Sequence, residues 1–167
     1  MSKLTLERAK ELLKKHTTEA HLFTHAAAVS ACMGGMADHF GADKDHWEAI
    51  GYLHDVDYEK YPDIHEHCHH VRELLAPEGV EEEDIRAIIS HAYGIGCDEV
   101  EPTTDLEKSL FTVDELSGVI LANALMRPTG MEGMTVKSLK KKFKDKRFAA
   151  GCDRETIEKG AELLGWE

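Results

Sequence analysis

The stretch Ile50-Gly51-Tyr52-Leu53-His54-Asp55 carries an apolar run straight into an imidazole and a carboxylate. Asp43 is a favoured N-cap for the helix bearing this run, and Tyr58 to Pro62 breaks it. His54 and Asp55 therefore stand where a helix leaves the core. Neighbours about 100° apart cannot share one helix row, but at a fraying terminus both can turn toward one ion.

Outward from this helix the chain keeps the same grammar. Upstream, a short helix runs from about Thr5 to Lys15, and a long one from a Thr18 cap to Gly41, a favoured residue just past a C-terminus. Downstream, a fourth helix spans about Asp63 to Ala76, before the turn at Pro77 and Gly79. Acidic residues Glu81 to Asp84 open a fifth that ends near His91. After the long loop Gly94 to Thr103, a sixth covers Asp105 to Met126 and stops at Arg127-Pro128. Thr135 and Asp153 cap two more. Strand alternation hardly occurs, so the expected fold is all-α: one bundle of about seven or eight helices over residues 1–167, with the C-terminal basic helix and the last helix on the same core.

A length of 167 residues and 18.7 kDa suits one domain, and 42% hydrophobic with 31% charged residues excludes a mostly disordered chain. The longest uncharged stretch, Leu22 to Ala37, holds Thr24, His25, Ser30 and two glycines. It is too short and polar to span a bilayer, so no membrane association is expected. Met1 leads into Lys3, Glu7, Arg8 and Lys10, unlike a signal peptide. A net charge of −12 argues against nonspecific binding to nucleic acid or anionic membranes. One local exception is Lys137 to Arg147, with seven basic residues against the single acid Asp145, which suits either a solvated helix face or a small anion. Cys32, Cys68, Cys97 and Cys152 form no Cys-x-x-Cys pair, so a reducing, cytoplasmic setting is expected. Eleven histidines are a heavy load for this length, and point to metal or proton chemistry.

On a helical wheel the second helix shows an apolar stripe of Leu22, Ala26, Val29, Met33, Met36 and Phe40, and His25 lies roughly 60° from its centre. His25 thus points partly inward. In the sixth helix Asp114 shares a row with Leu110, Leu121 and Leu125, where an unpaired carboxylate would be costly; a salt bridge or a cation must compensate it.

Together His25, His54, Asp55 and Asp114 resemble the H…HD…D signature of the HD-domain superfamily of metal-dependent phosphohydrolases. The likeness extends to Phe23-Thr24-His25-Ala26-Ala27-Ala28-Val29, to Gly51 through Pro62, to Phe111 through Gly118 and to Ala124-Leu125-Met126-Arg127-Pro128. It continues over Val136 to Lys146 and Gly151-Cys152-Asp153-Arg154, and so covers nearly the whole chain. Small stand-alone HD hydrolases are the nearest subfamily in pattern. Neither the Gly-Tyr-Pro signature of cyclic-dinucleotide phosphodiesterases nor the acidic signatures of stringent-response hydrolases is present.

The resemblance implies that His25, His54, Asp55 and Asp114 bind one ion, and that His67, His91 and a bridging, catalytic Asp55 hold a second; His65 is the alternative to His67. Imidazole and carboxylate ligands suit Fe, Mn, Ni, Co or Zn. Two such cations would polarise a phosphoryl oxygen and generate hydroxide near neutral pH, acting on a small phosphate ester or nucleotide. Lys60 and Arg127, with Lys137 or Lys141, would then hold the substrate phosphate. Rival expectations are a di-iron oxygenase on the same fold and a non-catalytic metal-stabilised binding module. A zinc peptidase is a weaker rival: His65-Glu66-His67-Cys68-His69 satisfies H-E-x-x-H, but leaves His54-Asp55 and Asp114 unexplained.

Overall fold

The computed structural model describes residues 3–166, and those residues form eight α-helices and no strand. In chain order they are α1 (Leu6–His16), α2 (Ala20–Phe40), α3 (Lys44–Leu53), α4 (Val71–Leu75), α5 (Glu82–Ile89), α6 (Asp105–Met126), α7 (Val136–Lys144) and α8 (Arg154–Leu163). Short 3-10 turns follow α4 at Ala76–Glu78 and α5 at Ser90–Ala92.

The boundaries are set by local chemistry. Thr5, Asp43, Thr135 and Asp153 each accept an orphan amide at the start of their helices. Thr104 and Glu107 close a reciprocal capping box at the start of α6. Gly41 ends α2 in the left-handed conformation, at φ 65°.

Two helices differ from the expectation. Thr18 does not cap α2; the Glu59 carboxylate, from the loop after α3, accepts from the Thr18 and Glu19 amides and the Thr18 hydroxyl at 2.8–3.1 Å. No side chain caps the first amides of α2 itself; the acid from the other segment braces the chain entering the helix and places negative charge at its positive end. The fourth helix shrinks to Val71–Leu75, and residues 63–70 are turns. The cause is Asp57, which accepts from the Cys68 amide at 2.7 Å while Cys68 takes φ 70°. A helix would have paired that amide with a carbonyl four residues back.

The core is built on α2 against α3, with α1 on the far side of α3 and α6 across α2. Leu12, Val29, Met33, Ile50, Leu53, Val56, Leu75, Ile88 and Leu110 are fully buried in it. Gly51 permits the close crossing of α2 and α3: a Cβ there would lie 2.9 Å from Met33 Cγ and 3.1 Å from Ser30 Cα. This holds the C-terminal end of α3, and with it His54, against α2. Gly34 meets the Glu48 side chain at the same crossing, whereas Gly35 faces open space.

α6 is the one described helix long and apolar enough by composition to cross a membrane, and half of its most apolar window is buried within the fold. α8 packs on its outer side. The row containing Asp114 starts in the core at Leu110 but turns outward, leaving Leu125 79% exposed. Trp47 is buried, and Trp166 stacks on Phe40 with ring centroids 6.2 Å apart.

Candidate metal centre

Four side chains from three segments converge beneath α2. His25 comes from the second turn of α2, His54 and Asp55 from the end of α3, and Asp114 from α6. His25 Nε2 lies 3.1 Å from His54 Nε2 and 3.0 Å from Asp114 Oδ1. His54 Nε2 lies 3.1 Å from the same Asp114 oxygen and 3.2 Å from Asp55 Oδ2. The fully buried His54 donates its Nδ1–H to the Gly51 carbonyl, so the lone pair of a neutral ring sits on Nε2, facing the cluster.

A second set adjoins the first. His67 Nε2 and His91 Nε2 are 3.2 Å apart, and Asp55 Oδ1 lies 3.2 Å from the former and 3.4 Å from the latter. His91 is presented by the 3-10 turn after α5 and donates Nδ1–H to the Ile88 carbonyl. His67 donates Nδ1–H to Asp57 Oδ1 at 2.9 Å. Cys68 Sγ stands 3.6 Å from His67 Nε2 and 3.7 Å from His91 Nε2. Sequence reasoning missed both Cys68 and Asp57. The signal available was adjacency to His67 and to His54-Asp55, but a cysteine outside any Cys pattern and an acid past a helix end both read as ordinary.

The donor chemistry fits divalent transition metals. His54, His67 and His91 have their other ring nitrogen committed as a donor, and the first cluster sets imidazole nitrogens and carboxylate oxygens within 4.8 Å of one another, an arrangement that orients lone pairs on a cation. The family model for the HD domain matches residues 22–118, more than half of the chain and the whole span from the first turn of α2 through Asp114. The chain belongs to the HD-domain family. Among curated proteins and among solved structures, none matches it. HD domains bind divalent metals, and the two clusters of this HD protein are where such ions could sit.

The electrostatics are those of tightly facing opposite groups. Burial alone would lower the His25 imidazole, but Asp114 and Asp55 override it and raise it to about 10. The same competition raises His54 to about 9, through Asp55 and Asp114, and His67 to about 10, through Asp55 and Asp57. His91, opposed by burial and favoured by Cys68 and Asp55, also reaches about 10. Burial works against ionised Asp55 and Asp114, yet the facing imidazoles, His54 first, hold both carboxyls well below the usual range. Burial pushes the Cys68 thiol up to about 11.

A cavity of about 400 Å³ opens onto both clusters, walled by Leu22, Tyr58, Ala92, Ile95, Gly118 and Cys152, with His21 and Glu115 also lining it. None of its lining residues is a lysine or arginine. Lys60 lies over the Tyr61 ring, 5.5 Å from its centroid. Arg127 is spent on its own loop, donating to the Gly130 and Glu132 carbonyls at 2.9 Å. Lys137 and Lys141 line a separate groove with Val136, Lys140 and Lys144. The structure therefore brings together His25, His54, Asp55, His67, His91 and Asp114, but not these four basic residues. His65 and His69 do not pair on a helix either: they lie in the turn segment, with His65 exposed and His69 Nε2 on the Gly96 carbonyl at 2.9 Å. The H-E-x-x-H geometry is absent.

Proposed function

We propose that this HD-domain protein is a phosphohydrolase acting on a small phosphate ester or nucleotide, with two divalent transition-metal ions bridged by Asp55. The observation that carries this reading is the position of Asp55, whose Oδ2 faces His25 and His54 while its Oδ1 faces His67 and His91. Ions bound there supply Lewis-acid charge to a phosphoryl oxygen and lower the pKa of water toward neutrality. His54, His67 and His91 keep their Nδ1 protons on Gly51, Asp57 and Ile88, which fixes the tautomers and aims every Nε2 lone pair into the site. Leu22, Tyr58, Ala92 and Ile95 form an apolar wall for the organic part of the ester. With no lysine or arginine in the lining, the phosphate charge falls to the ions, which favours one phosphate group over a polyphosphate.

The test is phosphate release from a panel of phosphomonoesters and nucleotides, with Mn, Fe, Co, Ni or Zn loaded in turn. Turnover is expected with at least one metal, and His54→Ala and Asp55→Ala should each reduce it by more than about 100-fold, beyond the effect of removing an outer partner of a ligand. No release at full metal loading, or release indifferent to both substitutions, overturns the reading. Oxygen consumption by the iron form without phosphate release would move it to oxygenase chemistry.

A further inference from the structure

One acid in the cavity belongs to neither donor set. Glu115 lines the cavity beside Asp114, yet it is in neither cluster of groups that could hold an ion. Its Oε2 accepts from the Asp153 amide at 3.0 Å, and among the described residues its carboxylate has no other hydrogen bond and no ion pair. Arg154, next in the chain to that amide, is committed to the carbonyls of Phe143, Asp145, Ala149 and Cys152. Bracing the turn before α8 thus uses one oxygen of Glu115 and leaves the other without a protein donor.

The acid is held close to the ions. Glu115 follows Asp114 directly on α6, so its Cα lies about 3.8 Å from that of an ion-holding residue. Gly118, one turn further along, lets the turn at Cys152 close against α6: a Cβ there would lie 2.6 Å from Cys152 Sγ. A ligand whose phosphate sits at the clusters therefore meets Glu115 with an atom a few bonds from its ester oxygen, not with the far end of a long chain. If it covers the free carboxylate oxygen with carbon, it strips that oxygen of water and replaces nothing. A hydroxyl or ammonium group replaces the water with a charge-assisted hydrogen bond, whereas a second phosphate or a carboxylate brings like charge.

We propose that Glu115 selects the ligand of this site, its carboxylate accepting from a hydroxyl or ammonium group carried a few bonds from the phosphate. The preferred class is a short polyol or amino-alcohol monophosphate. This rests on the reading above only in that the cavity holds a phosphate at the ions; it does not require the ester to be cleaved.

The experiment is calorimetric titration of the zinc-loaded full chain with phosphonates, whose carbon–phosphorus bond a phosphate-ester hydrolase leaves intact. Dihydroxybutylphosphonate is compared with butylphosphonate, and aminopropylphosphonate with propylphosphonate. At least one donor-bearing compound should bind about tenfold or more tightly than its plain partner, and Glu115→Ala should bring that ratio within about twofold. Glu115→Gln, which keeps an accepting oxygen without the charge, separates the two sources: it retains a preference for hydroxyl and loses one for ammonium. No preference in the wild type overturns the proposal. So does a ratio that survives Glu115→Ala, because loss of the Asp153 brace alone would weaken both members of a pair alike. Phosphonobutyrate needs no variant and so decides even if Glu115→Ala does not fold. With a carboxylate in place of the donor, it should bind the wild type at least about tenfold more weakly than butylphosphonate, and equal or tighter binding overturns the proposal. Failure of every phosphonate to bind overturns both this proposal and the phosphate reading. A preference that depends on Glu115, without phosphate release in the screen above, overturns the hydrolase and leaves selection by Glu115 standing.

Discussion

Asp57 sits four residues past the end of α3 and touches neither Asp114 nor the cavity, yet it sets the direction of His67 and Cys68. Asp57→Asn keeps the volume but replaces one accepting oxygen with an amide donor, so either the His67 Nδ1–H or the Cys68 amide loses its partner. The second site should then bind metal about 10–100-fold more weakly, with the first unchanged, as competition against a graded chelator would measure. Equal weakening of both sites would mean that Asp57 acts on the fold as a whole. The imidazoles carry a second residue-scale prediction. Their folded pKa values, about 9 for His54 and about 10 for His25, His67 and His91, lie above an ordinary value near 6.5. The stability they contribute is fully present below about pH 6.5 and is lost as the pH rises through 9 to 10. Depressed Asp55 and Asp114 work the other way, contributing above the ordinary carboxylate value and failing only well below it. Chelator-treated protein should therefore melt at progressively lower temperature from about pH 6.5 to about 9.5, and a divalent ion that replaces the protons should flatten this slope. Melting followed by far-ultraviolet circular dichroism decides it; a metal-free Tm that holds or rises across the window contradicts the imidazole–carboxylate pairing.

Among the elements, the α2–α3 crossing matters most for the site, because His54 is the residue that follows α3. Gly51→Ala gains up to about 1 kcal/mol of helix propensity but puts a Cβ within 2.9 Å of Met33 Cγ and 3.1 Å of Val29 O. Overpacking of this kind costs about 1–3 kcal/mol, so the net change is destabilising. Gly35→Ala, with nothing within 4 Å of its Cβ, keeps the propensity gain and should stabilise. Opposite shifts of the urea midpoint are expected; the same sign for both would remove the close-crossing argument. These two glycines also show what a sequence can reveal. Gly34 and Gly35 look alike along the chain, and only the approach of Glu48 distinguishes them. α6 was legible to the residue, because a capping box at Thr104 and Arg127-Pro128 are local signals at both ends. The segment 63–70 was not, because its conformation is dictated by a carboxylate six or more residues upstream. The site followed the same division. His25, His54, Asp55 and Asp114 were readable as a spaced pattern, whereas Cys68 acquires its place only when the turn folds over Asp57.

At the scale of the whole molecule, the sequence shows how much positive charge the Lys137 to Arg147 segment carries but not which way it faces. An acidic chain with one basic stretch, taken with the family resemblance, suggested a substrate phosphate held by Lys60 and Arg127 together with Lys137 or Lys141. In the folded chain those lysines line their own groove on α7, Arg127 is tied to its loop carbonyls, and Arg154 is turned inward, bonding the carbonyls of Phe143, Asp145, Phe148, Ala149 and Cys152. Arg154 thereby fixes the turn that brings Cys152 to the cavity wall, while the Asp153 amide donates to Glu115 at 3.0 Å. The lysines of the segment are thus absent from the cavity lining, and it is the turn beyond them, through Cys152 and the Asp153 amide, that meets the site. Screening at physiological salt limits surface charges to a reach of about 8 Å, so lysines outside the cavity lining add little to substrate affinity. The Lys137→Ala, Lys141→Ala double variant should leave KM for a phosphomonoester within about twofold of wild type in 0.15 M salt, a change of less than about 0.5 kcal/mol in binding. A tenfold rise in KM at unchanged kcat would mean that these lysines reach the bound phosphate after all, and that α7 closes over the cavity during turnover.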